Sequence, residues 1–103
     1  MKQGSRSNTP AGAGSMREVD LHLKAGYNSA DALERQLARF RGELASAVRT
    51  GEPGVVFIHG SGSGKLRETI EAIIAAEYPA CSCQDAPFSR YGFKGATIVK
   101  ISR

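Results

Sequence analysis

The chain has no tryptophan, two cysteines, two histidines and four prolines among its 103 residues. Two cysteines without a secretory signal are no disulfide framework, and they suit a reducing compartment; a cytoplasmic location is expected. Cys81 and Cys83 stand two apart on a strand face, where a mutual disulfide is strained, and they lack the spacing of a Cys-x-x-Cys redox or zinc pair. Their ordinary reading is packing; a zinc site completed by the histidines is awkward from a strand. No apolar run approaches the roughly 20 residues that cross a membrane, so no membrane partner is expected. The acid-base imbalance is also smaller than the formal net charge of +4 suggests. Residues 1–17 hold Lys2, Arg6 and Arg17 and no acid, which leaves eleven bases against ten acids in residues 18–103. Overall charge therefore argues little for a nucleic-acid partner, and the placing of the charges argues more.

A length of 103 residues and a hydrophobic share of 41% predict one small globular domain. Met1 to Ser15 is rich in Gly, Ser, Ala and Asn and lacks both apolar periodicity and the apolar core of a signal peptide. Residues 1–17 are read as a flexible leader or linker, as expected of a chain that is part of a larger multidomain protein. Residues 18–103 are read as the folded domain.

Within that domain, Glu18-Val19-Asp20-Leu21-His22-Leu23 alternates polar and apolar residues, the period of a strand with unlike faces. Asp20 and His22 fall on one side, with Val19, Leu21 and Leu23 on the other. After a polar loop, Ser29 is a candidate cap for a helix over about 30–50, whose stripe is Leu33, Leu37, Phe40, Leu44 and Val48. Gly51-Glu52-Pro53-Gly54 stops it, and Val55 to His59 reads as a central strand covered on both sides. A second helix is expected over about 64–77, with Leu66, Ile70, Ile73 and Ile74 inward. Ala80 to Ala86 and Ala96 to Ile101 read as two further strands. The fold class is therefore α/β: a two-layer β-α-β-α-β-β sandwich with a four-stranded mixed sheet, its β-α-β unit parallel and right-handed.

The richest stretch is His59-Gly60-Ser61-Gly62-Ser63-Gly64-Lys65-Leu66-Arg67, where a buried strand breaks into a glycine-rich turn and starts a helix. Backbone N–H groups unobstructed by Cβ atoms, a helix N-terminus and two cations make a site for an anion, most plausibly phosphate. It is not a Walker A loop, because His59 stands where that pattern needs glycine and Leu66 where it needs Ser or Thr. The even spacing of Gly60, Gly62 and Gly64 also fails the dinucleotide fingerprint. If strands one and two are neighbours, or one strand apart, His22 and His59 reach one rim beside this loop.

Val19-Asp20-Leu21-His22, the His59 to Arg67 loop and Tyr91-Gly92-x-x-Gly95-Ala96-Thr97-Ile98-Val99 together resemble the signature motifs of the Smr (small MutS-related) domain over about residues 18–102. The stretch after His22 and that from Gln84 to Gly92 look most like the version at the C-terminus of larger bacterial proteins. The resemblance implies a fold similar to the C-terminal domain of translation initiation factor three. It also implies binding of DNA or RNA, and in some members nicking or endonuclease activity. Asp20 and His22 match its first motif; His59, Gly60 and Gly62 match its second.

The candidate catalytic residues are thus Asp20, His22 and His59, and the candidate phosphate contacts are Gly60, Ser61, Gly62, Gly64, Lys65, Arg67, Arg90 and Lys94. Each has a plainer reading beside it. The histidines suit general acid-base work on a phosphodiester, or they hold a loop by hydrogen bonds. Asp20 orients a histidine, binds a divalent ion such as Mg²⁺ or Mn²⁺, or caps a loop by accepting N–H groups. No other cofactor is implied. Arg90, Tyr91 and Lys94 contact phosphate or stack a base, or form an ordinary surface loop; the helix-one arginines read as a solvated face. Three functions follow: a nucleic-acid-binding domain that cuts phosphodiesters, a binding module for structured or branched nucleic acid, and a protein-interaction domain.

Overall fold

A computed structural model of the chain describes residues 16–23, 26–60, 64–87 and 95–102. The expectations for the leader up to Ser15, and for Ser61, Gly62, Arg90, Tyr91 and Lys94, lie outside the described residues. The elements run β1 (Arg17–Asp20), α1 (Ser29–Thr50), β2 (Gly54–Ile58), α2 (Lys65–Glu77), β3 (Cys81–Asp85) and β4 (Ala96–Ile101). They build the expected four-stranded mixed sheet, in the order β1-β2-β4-β3. β1 and β2 are parallel, with Asp20 opposite Ile58, and β4 runs antiparallel to both β2 and β3. The C-terminal ends of β1, β2 and β3 therefore share one rim.

Both helices cover the same sheet face. Phe40, Leu44 and Ala47 of α1 and Ile70, Ile73 and Ile74 of α2 pack with Val19, Val55, Phe57, Val99 and Ile101. Phe40 meets Phe57 edge-on, with ring centroids 4.8 Å apart and planes at 67°. Both rings are fully buried, and each such side chain contributes about 1.5–3 kcal/mol of transfer free energy. On the other face, Val56, Ala86, Ala96 and Ile98 form a smaller buried cluster with Met16 and Ile58 against it. β2 is thus covered on both sides, as its unbroken apolar run predicts. Cys81 and Cys83 are half-buried against the helix-side core and are not joined to each other.

Several boundaries differ from expectation for local reasons. β1 starts at Arg17, inside the stretch expected to be leader, because Arg17 pairs with Glu43 of α1 and with Glu52 of the following turn. It ends at Asp20 because the Asp20 carboxylate turns back to accept the His22 backbone N–H at 2.9 Å. Leu23, expected to face inward, lies beyond that end and is exposed. The cap of α1 is Asn28, not Ser29: its side-chain oxygen accepts the Asp31 N–H at 2.9 Å. The apolar stripe of α1 finishes on Ala47, while Val48 has turned toward solvent, as the 3.6-residue period requires after Phe40 and Leu44.

Candidate functional site

The rim carries Asp20 at the end of β1 and His22 just after it, His59 and Gly60 just after β2, and Asp85 at the end of β3. Asp20 grips His22 twice with one oxygen, taking its backbone N–H at 2.9 Å and its ring Nδ1 at 2.7 Å. The carboxylate is held below its ordinary pKa first by that backbone N–H, then by the ring and by the charge of Arg39. Asp20 therefore both caps the turn and orients the histidine. Because a carboxylate oxygen can only accept, Nδ1 is the donor in this contact.

His22 Nε2 points at the backbone of Gly60. A Cβ at residue 60 would lie 2.8 Å from that nitrogen, and Gly60 has φ of +81°. Glycine is needed here twice over, for the left-handed backbone and for the approach of the ring. Gly60 was expected to offer its N–H to an anion. That N–H is instead bound to the Gly95 carbonyl at 2.8 Å, beside the His59 N–H at 3.1 Å, so Gly60 shapes the site rather than donating into it.

The two histidines, equivalent in the sequence, differ in surroundings. His22 is exposed. His59 is 8% exposed, and both of its ring nitrogens are engaged. Nδ1 donates to the Gly60 carbonyl at 2.9 Å, and Nε2 lies 2.8 Å from Thr97 Oγ1, which then donates to it. Burial is the main cause of a lowered pKa at His59, with Arg67 acting in the same direction.

The cations also divide. Arg67 lines the cleft beside the loop, but its guanidinium lies 3.1 Å from Asp85 and 3.3 Å from Glu71, tying α2 to β3. Lys65 is exposed at the start of α2. The position before that helix is Gly64, which gives no side-chain cap of the kind Asn28 gives α1, and the acid of its first turn is Glu68. A cleft of about 560 Å³ opens between the first turns of the two helices, bordered by Ser29, Leu33, Gln36, His59, Gly60 and Lys65. This lies within the roughly 300–1,000 Å³ of ligand sites.

The family profile of the Smr domain matches residues 19–102. The chain belongs to the Smr domain family. It is 34% identical over 84 residues to an endonuclease MutS2 of Thermomicrobium roseum; the match takes in 82% of this chain and 10% of that protein, so the chain spans about a tenth of the relative. It also superposes on the crystal structure of the Smr domain of Thermus thermophilus MutS2, with a TM-score of 0.66 and 30% identity, covering 85% of this chain and all of that one.

Three residues that hold this Smr domain's rim together were not among the candidate site residues. Gln36 donates to the Leu21 carbonyl at 2.9 Å and fixes the segment after β1 against α1. Thr97 occupies His59, and Asp85 occupies Arg67. Thr97 left a signal, a lone hydroxyl at an inward position of an apolar strand. Gln36 and Asp85 left none, since each looks like an ordinary surface residue. Among the described residues, no group of three His, Cys, Asp or Glu is arranged to hold a metal ion, and no helix is long and apolar enough to cross a membrane.

Proposed function

We propose that this Smr domain binds the phosphodiester backbone of DNA or RNA at the shared rim of β1 and β2. In this reading His22 is the group that moves a proton there. The observation that carries it is the Asp20–His22–Gly60 contact: an exposed imidazole, fixed through Nδ1, with Nε2 2.8 Å from the Cβ position of Gly60, where the glycine-rich segment begins. Phosphate is assigned to the N–H groups of the first turn of α2 and to Lys65, and Ser61 and Gly62 are assigned to the same phosphate from the sequence. His22 Nε2 accepts the proton of an attacking hydroxyl as its oxygen bonds to phosphorus and the opposite P–O bond breaks, the leaving oxygen keeping that bond's electron pair and taking a proton from solvent. His59 is a positioning residue that locks the loop to β4 through Thr97. Arg90 and Lys94 are assigned to the same backbone. The domain works within a larger protein in the cytoplasm.

A binding module without cleavage is the second reading, and the engagement of His59 favours it. With both nitrogens of that ring committed, the site presents one exposed imidazole rather than two. Supercoiled plasmid and structured RNA, each with and without Mg²⁺ or Mn²⁺, separate the readings. The catalytic reading expects nicking that His22→Ala abolishes while oligonucleotide affinity is largely kept. Salt-sensitive binding with no cleavage under any condition leaves the module. Nicking unchanged in His22→Ala removes His22 from the chemistry.

A further inference from the structure

Among the described residues, the large hydrophobic side chains left exposed are Leu23, Tyr27 and Val48. Two of the three lie in the short connection between β1 and α1, directly after His22. Tyr27 is the more exposed, at 45%. The Arg35 guanidinium sits over it, 4.8 Å from the ring centroid. The next residue, Asn28, is fixed by its cap on Asp31. An exposed aromatic ring with a guanidinium over one face is a stacking surface.

The charges continue the line. Arg39 stands one helical turn after Arg35, on the same side of α1. Gln36, between them, is bonded to the Leu21 carbonyl, so this side of α1 lies along the segment that carries His22. The charge of Arg39 reaches Asp20, the carboxylate that orients His22. Tyr27, Arg35, Arg39 and the Asp20–His22 pair thus form a path of one aromatic ring and two guanidinium groups leading to the rim. A stacked guanidinium keeps its N–H edges for phosphate, so Arg35 can serve ring and backbone together.

We infer that Tyr27 and Arg35 form a platform for one unpaired base of a single-stranded nucleic acid, and that Arg35 and Arg39 carry its neighbouring phosphates toward His22. The inference rests on the nucleic-acid reading above and adds a preference: unpaired nucleotides over intact duplex. Every base has a π-face, so the platform tolerates sequence.

Fluorescence anisotropy with labelled single-stranded dA₁₅ and rA₁₅ and with a blunt hairpin duplex tests it. Tyr27→Ala is expected to weaken both single strands by about fivefold or more, the scale of one lost base stack, and to leave the duplex within twofold. Tyr27→Phe, which keeps the ring, should bind as the parent does. Arg39→Gln should lower the slope of log affinity against log salt by about 0.7–0.9, one phosphate's share. If Tyr27→Ala binds single strands as the parent does while Lys65→Ala does not, the platform is wrong and the nucleic-acid reading stands. Equal losses on duplex and single strand would also overturn the platform. If the parent domain binds none of the three probes at low salt, the underlying reading fails with it.

Discussion

The imidazole of His22 occupies the space that a side chain at residue 60 would fill, with Nε2 2.8 Å from the Cβ position of Gly60. One residue just past β1 and another just past β2 thus define each other's identity. The loop can turn where it does because residue 60 has no Cβ, and the histidine sits close because of that same absence.

Replacing Gly60 should therefore cost more than its backbone alone. Gly64 has nearly the same φ, +85°, but among the described residues a Cβ there would meet nothing closer than the Glu68 carboxylate at 3.9 Å. Gly64→Ala is expected to lose about 1–2 kcal/mol from the left-handed backbone. Gly60→Ala should lose that amount and also displace His22. Paired thermal melts check this, together with the His22 ring resonances, which should move in Gly60→Ala and stay in Gly64→Ala.

Asp20 sets the tautomer of His22. With its carboxylate on Nδ1 at 2.7 Å, the ring is expected to carry its proton there when neutral. Asp20→Asn keeps an acceptor for the His22 N–H but removes the charged partner of the ring. Imidazole ¹⁵N shifts should report Nδ1–H in the parent domain and a mixture in the variant. Cleavage, where present, should fall more than binding does.

His59 makes stability depend on pH. Burial lowers its pKa in the folded state, so on acidification the unfolded chain takes up the proton first, near the ordinary value of about 6.5. Below that pH the unfolded state holds more protons than the native one. Stability is thus fully present above about 6.5 and is lost as pH falls toward the native value. Carboxylates such as Asp20, whose pKa is also lowered, act in a more acid window, below about 4. Denaturant midpoints between pH 8 and 5 should fall for the parent and stay flatter for His59→Asn, which is less stable at neutral pH. Thr97→Val leaves the buried Nε2 without its donor and should cost about 1–3 kcal/mol.

Arg67 was expected to meet phosphate, and its present partners predict how it could be released. Asp85→Asn removes the carboxylate 3.1 Å from the guanidinium and one negative charge from the rim. Oligonucleotide affinity should rise several-fold, with a salt slope steeper by up to about 0.9. Unchanged affinity in Asp85→Asn would place the backbone away from α2.

These results divide what could be read in the sequence from what could not. The strands and helices were legible because Val55–Ile58 and the four-three spacing of α1 are signals within one segment. The parallel β-α-β order likewise placed His22 and His59 on one rim. Their difference was not legible. It depends on β4 lying beside β2, which pairs Thr97 with Phe57 across 40 residues and brings its hydroxyl to His59. The pairing of Arg67 with Asp85 depends in the same way on β3 lying under α2. The end of β1 was missed for a smaller reason, a carboxylate that accepts the backbone N–H two residues further along the chain. Charge and glycine content mark where a site is; which groups remain available to a ligand is settled by partners far away in the chain.

The most direct test is amide shift mapping of the ¹⁵N-labelled domain against a short single-stranded oligonucleotide at low salt. Binding at the shared rim predicts the largest changes at His22, Gly60, Lys65 and Leu66, with Gly54, Ser82 and Lys100 at the opposite end of the sheet unmoved. Changes confined to that opposite end, or none at any concentration, would contradict it.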